Sequence, residues 1–344
     1  MMKRRSGAQL LGWVGVILLV LLIQPLSRGV DFRRTMLGMK SPTPLTKIVD
    51  FDPTAVTGVI MGAALGGFQG VAASMMWMKM EELWDSGEGT WLACLNVMRN
   101  VTLLDPHWLE PWRILGWHLA YNLYVETDDP QLKATYLAKA IAAYKEGISW
   151  NPNVYDLYAE LGWTYLNKVR DPEQATKWLI AAIQFEHPEY IERMVAHAYE
   201  QMPDMDRALD WWDFCLKRNP ADETAKGATT TIRLRYLPPW RLMQQGDYEG
   251  ALKEIDEVLA VSPNDTLPLH IKAYIYERAG RLREALDTWQ VAAKVTVLNQ
   301  QAARKVEELS TQLGLPVPPE QRTPSFLLQQ MEKGRLAVPA PNVR

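Results

Sequence analysis

The sequence predicts an all-α protein that consists of stacked helix pairs preceded by a membrane-spanning helix. Two observations support this prediction: small and aromatic residues recur in a fixed frame along the middle of the chain, and a long charge-free segment lies near the amino terminus. The clearest copies of the frame are Ala196, Tyr199, Ala208, Trp212, Cys215 and Pro220, and then Ala273, Tyr276, Ala285, Trp289 and Ala292. Small side chains let two antiparallel helices approach closely, and large rings fill the space beside them.

The frame resembles the tetratricopeptide repeat, a helix–turn–helix unit of about 34 residues. Its small residues occupy the eighth, twentieth and twenty-seventh positions, so Ala196 and Ala273 each mark an eighth position. The resemblance implies a right-handed superhelical solenoid of tetratricopeptide-like helix pairs. The stacked units of such a solenoid form a binding surface, and the repeat itself carries out no chemistry.

Weaker copies of the frame extend the predicted solenoid. One unit covers 112–152 and contains a predicted insertion at 127–135. The next covers 158–182 and has one extra residue at its turn. A later unit has a degenerate first half, in which residues 237–240 are predicted to be an insertion. A marginal first unit extends over 75–106.

The sequence therefore divides into five predicted parts. They are a cytoplasmic head and transmembrane anchor at 1–27, a linker at 28–55, a Gly-rich helix with a degenerate first repeat at 56–108, tetratricopeptide-like repeats with a capping helix at 109–313, and a Pro-rich tail at 314–344. Prolines in the tail prevent the helices from continuing.

The predicted anchor is the charge-free stretch at 6–27, which follows Lys3, Arg4 and Arg5. A helix rises about 1.5 Å per residue, so this stretch can cross a hydrocarbon core of about 30 Å. The alternative is a cleaved signal peptide. The apolar stretch is longer than the core of a typical signal peptide, and no A-x-A pattern follows it. We therefore expect an uncleaved anchor at about residues 8–26.

A second uncharged segment, at 53–78, has two interpretations. Its glycines recur at four-residue spacing, at Gly58, Gly62, Gly66 and Gly70. On a membrane helix these glycines would form a face for close packing with another helix. The segment contains little Leu, Ile and Val, and this composition favours the other interpretation, a tightly packed first helix of the solenoid.

Two blocks of sequence are similar to bacterial membrane-anchored tetratricopeptide proteins. They are Gly66-Gly67-Phe68-Gln69-Gly70-Val71-Ala72-Ala73, followed by Met76-Trp77, and Gly116-Trp117-His118-Leu119-Ala120-Tyr121-Asn122. Gln69 stands where those proteins have arginine. The resemblance implies an anchored helical scaffold and no sharper function.

The orientation of the anchor follows from the charges beside it. The short head with three positive charges is expected to stay in the cytoplasm, although Arg28, Arg33, Arg34 and Lys40 nearly balance it on the other side. We therefore expect a single-pass protein whose soluble part lies on the extracytoplasmic side of a bacterial inner membrane.

Composition and motifs argue against other classes of function. The net charge is -3 and no basic run follows the amino terminus, so nucleic-acid binding is not expected. The five histidines lack the spacing of a helical zinc site, and the sequence contains neither a phosphate-binding loop nor a nucleophile elbow. Cys94 and Cys215 are interpreted as small buried residues. We expect no enzyme activity, cofactor, metal or small-molecule substrate.

The predicted partner-binding groove lies on the first helix of each pair. The ninth position of each repeat contributes Trp117, Trp163, His197 and Tyr274 to this groove. The fifth position adds Arg113, Arg193 and His270. Aromatic and Arg side chains dominate binding energy at interfaces, so this row suits a protein or peptide partner. The alternative is that Trp117 and Trp163 pack between adjacent first helices. It is favoured because large aromatic residues at helical spacing more often belong to the core. Arg193 and His197 are then the exposed part.

Two functions are consistent with the sequence. The first is a membrane-anchored protein–protein interaction scaffold that holds a partner in the helical-repeat groove. The second is a structural subunit of a stable membrane complex, with the solenoid buried among other subunits. The carboxylate clamp known from the repeat family requires Lys and Asn at positions where this chain has Ala159 and Trp163, so that binding mode is not expected.

Overall fold

The computed structural model describes residues 68–85, 91–295 and 299–317, and every regular element in these ranges is a helix. The α-helices are α1 Gln69–Asp85, α2 Trp91–Leu104, α3 Leu109–Trp117, α4 Tyr124–Glu126, α5 Pro130–Trp150, α6 Asp156–Thr164, α7 Pro172–Ala182, α8 Tyr190–Gln201, α9 Met205–Arg218, α10 Glu223–Thr231, α11 Leu237–Gln244, α12 Tyr248–Val261, α13 Thr266–Arg278, α14 Leu282–Val295 and α15 Gln300–Gln312. Three π-helical segments lie at His118–Leu123, Tyr165–Val169 and Ile232–Tyr236. The prediction of an all-α protein is confirmed for the described residues.

These residues form two compact units. The first contains 68–118 and 146–152, and the second contains 119–145 and 153–317. Each unit is described separately below.

In the first unit, α1 packs against α2, and α2 packs against α3. Trp77, Met80, Cys94 and Met98 are buried between α1 and α2. The marginal repeat predicted at 75–106 is therefore a real helix pair.

In the first unit, the end of α5 and the residue after it contact α2 and the turn between α2 and α3. The indole N–H of Trp112 and the amide of Asn151 both donate to the carbonyl oxygen of Pro106, at 3.0 and 2.9 Å. Arg99 on α2 pairs with Glu146 at 2.9 Å. The two hydrogen bonds satisfy the carbonyl of Pro106 in the turn between α2 and α3, and the ion pair joins α2 to α5.

The second unit contains successive helix pairs: α6 with α7, α8 with α9, α11 with α12, and α13 with α14. Its core consists of the residues that define the repeat frame. In the clearest copies, Ala196, Ala208, Trp212, Ala225, Ala273, Ala285, Trp289 and Ala292 are fully buried. The frame therefore predicted which side chains the helix pairs bury.

Gly162 shows how closely α6 and α7 approach each other. A β-carbon at Gly162 would lie 2.7 Å from Leu179 Cγ and 3.2 Å from the carbonyl oxygen of Ala175. Any larger residue must push the two helices apart, because core side chains are already close-packed.

Acidic and amide side chains start six helices of the second unit. Each accepts a hydrogen bond from a backbone N–H in the first helical turn, the usual role of an N-cap residue. The caps are Asp171, Asp204, Asp222, Asp247, Asp265 and Asn299. Helix starts are thus fixed locally by the sequence.

The π-helical segments account for the irregular spacing of the weaker repeats. A π-helix accommodates an extra residue within a helix. The single extra residue predicted at the turn of 158–182 is taken up by Tyr165–Val169, after which Arg170 adopts a left-handed conformation with φ 57°. The insertion predicted at 127–135 is shorter than expected, because α5 begins at Pro130.

The residues predicted as an insertion, 237–240, are helical, and the first half of this repeat is longer than the equivalent helices α8 and α13. Residues 223–244 are helical throughout, as α10, the π-helix Ile232–Tyr236 and α11. Pro238 and Pro239 lie in the first turn of α11, directly after the π-helix.

The predicted anchor, the linker and most of the Pro-rich tail lie outside the described residues, as do Gly58, Gly62 and Gly66. Among the helices that are described, none combines the length and the apolar character needed to cross a bilayer. The predicted capping helix at the end of the repeats corresponds to α15.

Candidate partner-binding surface

In the first unit, the predicted groove residues Arg113 and Trp117 lie one turn apart on α3. The Arg113 guanidinium donates to both carboxylate oxygens of Glu110, at 2.6 and 3.0 Å. The indole of Trp117 is 42% exposed, whereas Trp112 on the same helix is fully buried. Trp117 is therefore not a core residue of this unit.

In the second unit, Trp163 lies half-buried on α6 and Arg193 half-buried on α8. Arg193 Nη1 donates to Asp222 Oδ2 at 2.8 Å. Burial by itself would raise the pKa of Asp222, but the hydrogen bonds from Arg193 and from the backbone of Ala225 outweigh it, and the pKa lies below its ordinary value. Arg193 thus joins α8 to the start of α10 and also reaches the surface.

His197 lies one turn after Arg193 on α8, and its side chain is 40% exposed. Its ring stands edge-on to that of Trp212, with centroids 4.8 Å apart, and its Nδ1 lies 3.2 Å from Glu200 Oε2. The other oxygen of Glu200 accepts the indole N–H of Trp212 at 2.5 Å. This network holds the imidazole at the edge of the buried core.

His270 and Tyr274 on α13 do not form an open groove, because α15 packs over them. His270 is only 1% exposed, and its Nε2 lies 3.2 Å from Asn299 Nδ2. Lys305 Nζ stands 5.3 Å from the centre of the Tyr274 ring. The prediction that His270 is an accessible groove residue is therefore wrong.

Burial also determines the charge of His270. It lowers the pKa of His270 to about 3, so the imidazole is neutral at physiological pH. A neutral, enclosed imidazole is a structural group of the core rather than a contact for an outside ligand.

The sequence interpretation missed a repeated pair of glutamate and tryptophan. Glu200 and Trp212 are paired across α8 and α9, and Glu277 accepts the indole N–H of Trp289 at 2.6 Å across α13 and α14. Each glutamate occupies the twelfth position of its repeat, and each tryptophan follows twelve residues later. This recurrence could have identified the pairs from the sequence.

A second feature that the sequence did not reveal is a contact between α15 and the turn before α7. The guanidinium of Arg304 pairs with Asp171 at 3.0 Å, and the backbone N–H of Gln301 donates to the carbonyl oxygen of Arg170 at 3.1 Å. These partners are about 130 residues apart in the chain. No local pattern predicts such a contact.

The cysteines are both buried thiols. Burial raises the pKa of Cys215 to about 11, with further contributions from Glu192 and Asp222, and burial also raises that of Cys94. Thiols with raised pKa values are poor nucleophiles at neutral pH. Within the described residues, no group of His, Cys, Asp and Glu is arranged to hold a metal ion.

Comparisons with known sequences give distant relatives. No model of a known protein family matches the chain. The protein named DnaJ homolog subfamily C member 3 from Gallus gallus is 25% identical over 189 residues, which cover 53% of this chain and 37% of the relative. Its counterpart from Homo sapiens is 25% identical over 199 residues, covering 56% and 39%. The chain thus spans less than two fifths of the length of these curated relatives.

Solved structures similar to this chain include tetratricopeptide-repeat proteins. One from Thermus thermophilus has 19% identity and a TM-score of 0.38, covering 53% of this chain and 98% of the other. One from Parabacteroides merdae has 13% identity and a TM-score of 0.38, covering 76% and 99%. The helix pairs of the second unit and the buried frame residues establish a tetratricopeptide-like fold on their own evidence.

Proposed function

We propose that this protein is a membrane-anchored scaffold that holds a protein or peptide partner against the first helices of its tetratricopeptide-like repeats. One observation carries the proposal. The frame tryptophans Trp112, Trp212 and Trp289 are fully buried, whereas rings at the ninth position, Trp117 and His197, are about two fifths exposed. Rings that are not needed to fill the core can contact a partner.

The chemistry of this surface suits a peptide segment in extended or helical form. Half-buried aromatic and cationic side chains lose little freedom on binding, and such residues supply most of the binding energy at protein interfaces. In the second unit the proposed surface is limited to Trp163, Arg193 and His197, because α15 covers His270 and Tyr274.

The anchored location is part of the same proposal. It rests on the charge-free stretch at 6–27 and the three positive charges before it. Carbonate extraction of membranes tests it: the full-length protein is expected to remain in the pellet. Release into the supernatant, or a mature amino terminus mapped beyond Ser27, would rule out the anchor.

Partner binding is tested in two stages. Affinity capture with the tagged full-length chain, followed by mass spectrometry, first identifies a partner. Its affinity is then measured for Trp163→Ala with His197→Ala, which together are expected to weaken binding by at least about tenfold. Arg193 is left unchanged, because its removal would leave Asp222 buried without its cation.

Phe214→Ala is the matched control for that experiment. Phe214 is a ring of similar exposure, 46%, on the second helix α9. It is expected to leave the affinity unchanged. If the double variant binds the partner with unchanged affinity and Phe214→Ala weakens binding, the binding surface lies on the second helices instead.

The alternative function, a structural subunit of a membrane complex, is favoured by the second helices. Phe214 on α9 and Val291 on α14 occupy the same frame position and are 46% and 47% exposed. Apolar side chains exposed in register are suited to burial against other subunits. Native mass spectrometry of the detergent-extracted protein distinguishes the functions, because a subunit is recovered only in a large particle and a scaffold also as a free chain.

A further inference from the structure

Three cations and two tyrosines gather at one end of the first helices in the second unit. We call this group, which consists of Tyr121, Tyr124, Lys133, Lys168 and Arg170, the cation–tyrosine cluster. All five side chains are half-buried. They come from separate segments of the chain: the tyrosines from the π-helix His118–Leu123 and from α4, Lys133 from the first turn of α5, and the other two cations from the end of the following first helix.

The ammonium groups contact the tyrosine rings, and the ring of Tyr124 is close to both of them. Lys168 Nζ is 4.7 Å from the ring centre of Tyr121 and 5.0 Å from that of Tyr124. Lys133 Nζ is 4.9 Å from the ring centre of Tyr124. Both ammonium groups are therefore within about 10 Å of each other, a distance over which salt screens like charges only partly.

Arg170 adds a third positive charge, which interacts electrostatically with Lys168 and with both tyrosines. Burial lowers the pKa of Lys168, and the charges of Arg170 and Lys133 lower it further. Burial likewise lowers the pKa of Arg170, while Tyr124 and Tyr121 act in the opposite direction. Partial burial thus removes some of the solvent that would otherwise stabilise the charges of Lys168 and Arg170.

The three cations have no carboxylate within ion-pair distance in the described part of the chain, in contrast to Arg193, Arg218 or Arg304. Arg170 Nε is also buried without a hydrogen-bond partner among the described residues. Buried donors and charges are normally paired in a folded protein. The unsatisfied donor of Arg170, next to two ammonium groups that contact rings rather than carboxylates, therefore points to a negatively charged group from outside the chain.

We propose that the cation–tyrosine cluster binds an oxyanion group, a carboxylate or a phosphate, that belongs to the partner. This inference rests on the proposed function and specifies the chemistry of the partner. Lys168, Lys133 and Arg170 supply charge-assisted donors, which form short and strong hydrogen bonds to oxyanions. Burial raises the pKa of both tyrosines, so their hydroxyl groups keep the proton and can donate as well.

The π-helix Tyr165–Val169 gives this site its geometry. The extra residue in that segment lies before Lys168 and Arg170, and the left-handed backbone at Arg170 ends the helix directly after it. The site is separate from the positions of Ala159 and Trp163, where the known carboxylate clamp of tetratricopeptide proteins would require Lys and Asn.

The first test uses simple anions and the full-length chain in a nonionic detergent. Melting temperatures are compared in sodium phosphate, sodium acetate and sodium chloride at equal ionic strength. The variant Lys168→Gln with Arg170→Gln removes two charges of the cluster, and Lys253→Gln removes an exposed charge on α12 as the matched control. Phosphate stabilises most proteins through general exclusion from their surfaces, so only the difference between variants is informative.

We expect phosphate or acetate to raise the melting temperature of the natural chain by about 2–4 °C more than that of the double variant. The Lys253→Gln chain is expected to respond like the natural one. An equal response of all three chains would overturn the proposal.

The second test uses the captured partner and separates the two sources of the oxyanion. The double variant is expected to bind the partner at least about tenfold more weakly. Loss of binding after phosphatase treatment of the partner identifies a phosphate. Retained binding that is lost when the partner's acidic side chains are converted to amides identifies a carboxylate.

The outcomes also separate this inference from the proposed function. If Trp163→Ala with His197→Ala weakens partner binding while the cluster variant changes neither affinity nor anion response, the scaffold function stands and the oxyanion site is wrong. If the cluster alone responds to anions and no variant on the first helices affects a partner, the site stands and the scaffold function is wrong.

Discussion

Individual side chains in this protein are placed by the contact that each makes across a helix pair. Glu200 and Glu277 use the same frame position to accept an indole N–H from the facing helix, so one side-chain hydrogen bond joins the two helices in each of these two repeats. The second oxygen of each carboxylate is used differently: His197 approaches Glu200, and Lys305 pairs with Glu277 at 2.9 Å. The same glutamate position is thus used in the repeat of α8, whose His197 stays exposed, and in the repeat of α13, which α15 covers.

Gly162→Ala is expected to destabilise the second unit. The new β-carbon would overlap with Leu179, and such overpacking typically costs about 1–3 kcal/mol. Gly227→Ala is the matched control, since a β-carbon there meets nothing within 4 Å. Because alanine favours a helix more than glycine, this control should gain about 0.4–1 kcal/mol in chemical denaturation. Equal effects of the two variants would contradict the close approach of α6 and α7.

His270 predicts how stability depends on pH. Its pKa is about 3 in the folded protein and ordinarily 6.5, so between these limits the unfolded chain binds more protons than the folded one. Stability should therefore fall as the pH is lowered from about 6.5 towards 3, by up to about 1.4 kcal/mol per pH unit from this residue.

The measurement compares the chain with His270→Gln, which keeps a hydrogen-bonding group beside Asn299. Denaturation at several values between pH 6 and 4 should give a shallower dependence on pH for the variant. Identical slopes would show that the imidazole is not enclosed as described. Arg170 is the charged group that also lowers this pKa, and it keeps its charge throughout the range.

At the scale of helices, the C-terminal helix α15 connects distant parts of the second unit. It packs on α14 and covers groove positions of α13, and its Arg304 reaches Asp171 at the start of α7. Asp171 is buried and also caps α7 through the backbone N–H of Gln174. The carboxylate therefore stabilises a helix end and an interhelical contact at once.

A double-mutant cycle isolates the contact between Arg304 and Asp171. Asp171→Asn keeps a good N-cap residue and removes the charge, and Arg304→Gln removes the guanidinium. Because Arg304 is partly exposed, solvent weakens the pair, and a coupling free energy of about 1 kcal/mol is expected.

The exposed pair of Arg283 and Asp287 on α14 serves as the comparison for that cycle. It lies 3.5 Å apart with both side chains well exposed, so its coupling should stay below about 0.5 kcal/mol. Additive effects at Arg304 and Asp171, with no greater coupling than in this pair, would argue against the contact.

For the second unit as a whole, α15 closes the hydrophobic core. Val306 and Leu309 are buried in one cluster with Leu269, Ala273 and Trp289. The ends of helical-repeat arrays need such a cover, because the last helix pair otherwise exposes its apolar face.

A chain truncated after Val295 is expected to lose this cover. Exposed apolar surface should lower the melting temperature and promote aggregation, as seen by light scattering alongside thermal denaturation. A chain truncated after Val317 keeps α15 and is the control. If both truncated chains melt and scatter alike, α15 is not part of the core.

The sequence alone determined the features that depend on neighbouring residues. Small and aromatic residues at helical spacing identified the helix pairs, and even a single extra residue was recognised before the π-helix Tyr165–Val169 explained it. The extra residues at 237–240 are also visible in the sequence, whereas their helical conformation is not.

The tertiary structure decided which of these surfaces stay open. The same frame places His197 and Tyr274 in equivalent positions, but only the latter is covered by α15. The cation–tyrosine cluster and the contact between Arg304 and Asp171 likewise join segments that are far apart in the chain. Periodicity reports the preferences of one helix, whereas such contacts depend on how successive helices stack, and that is settled by packing over the whole unit.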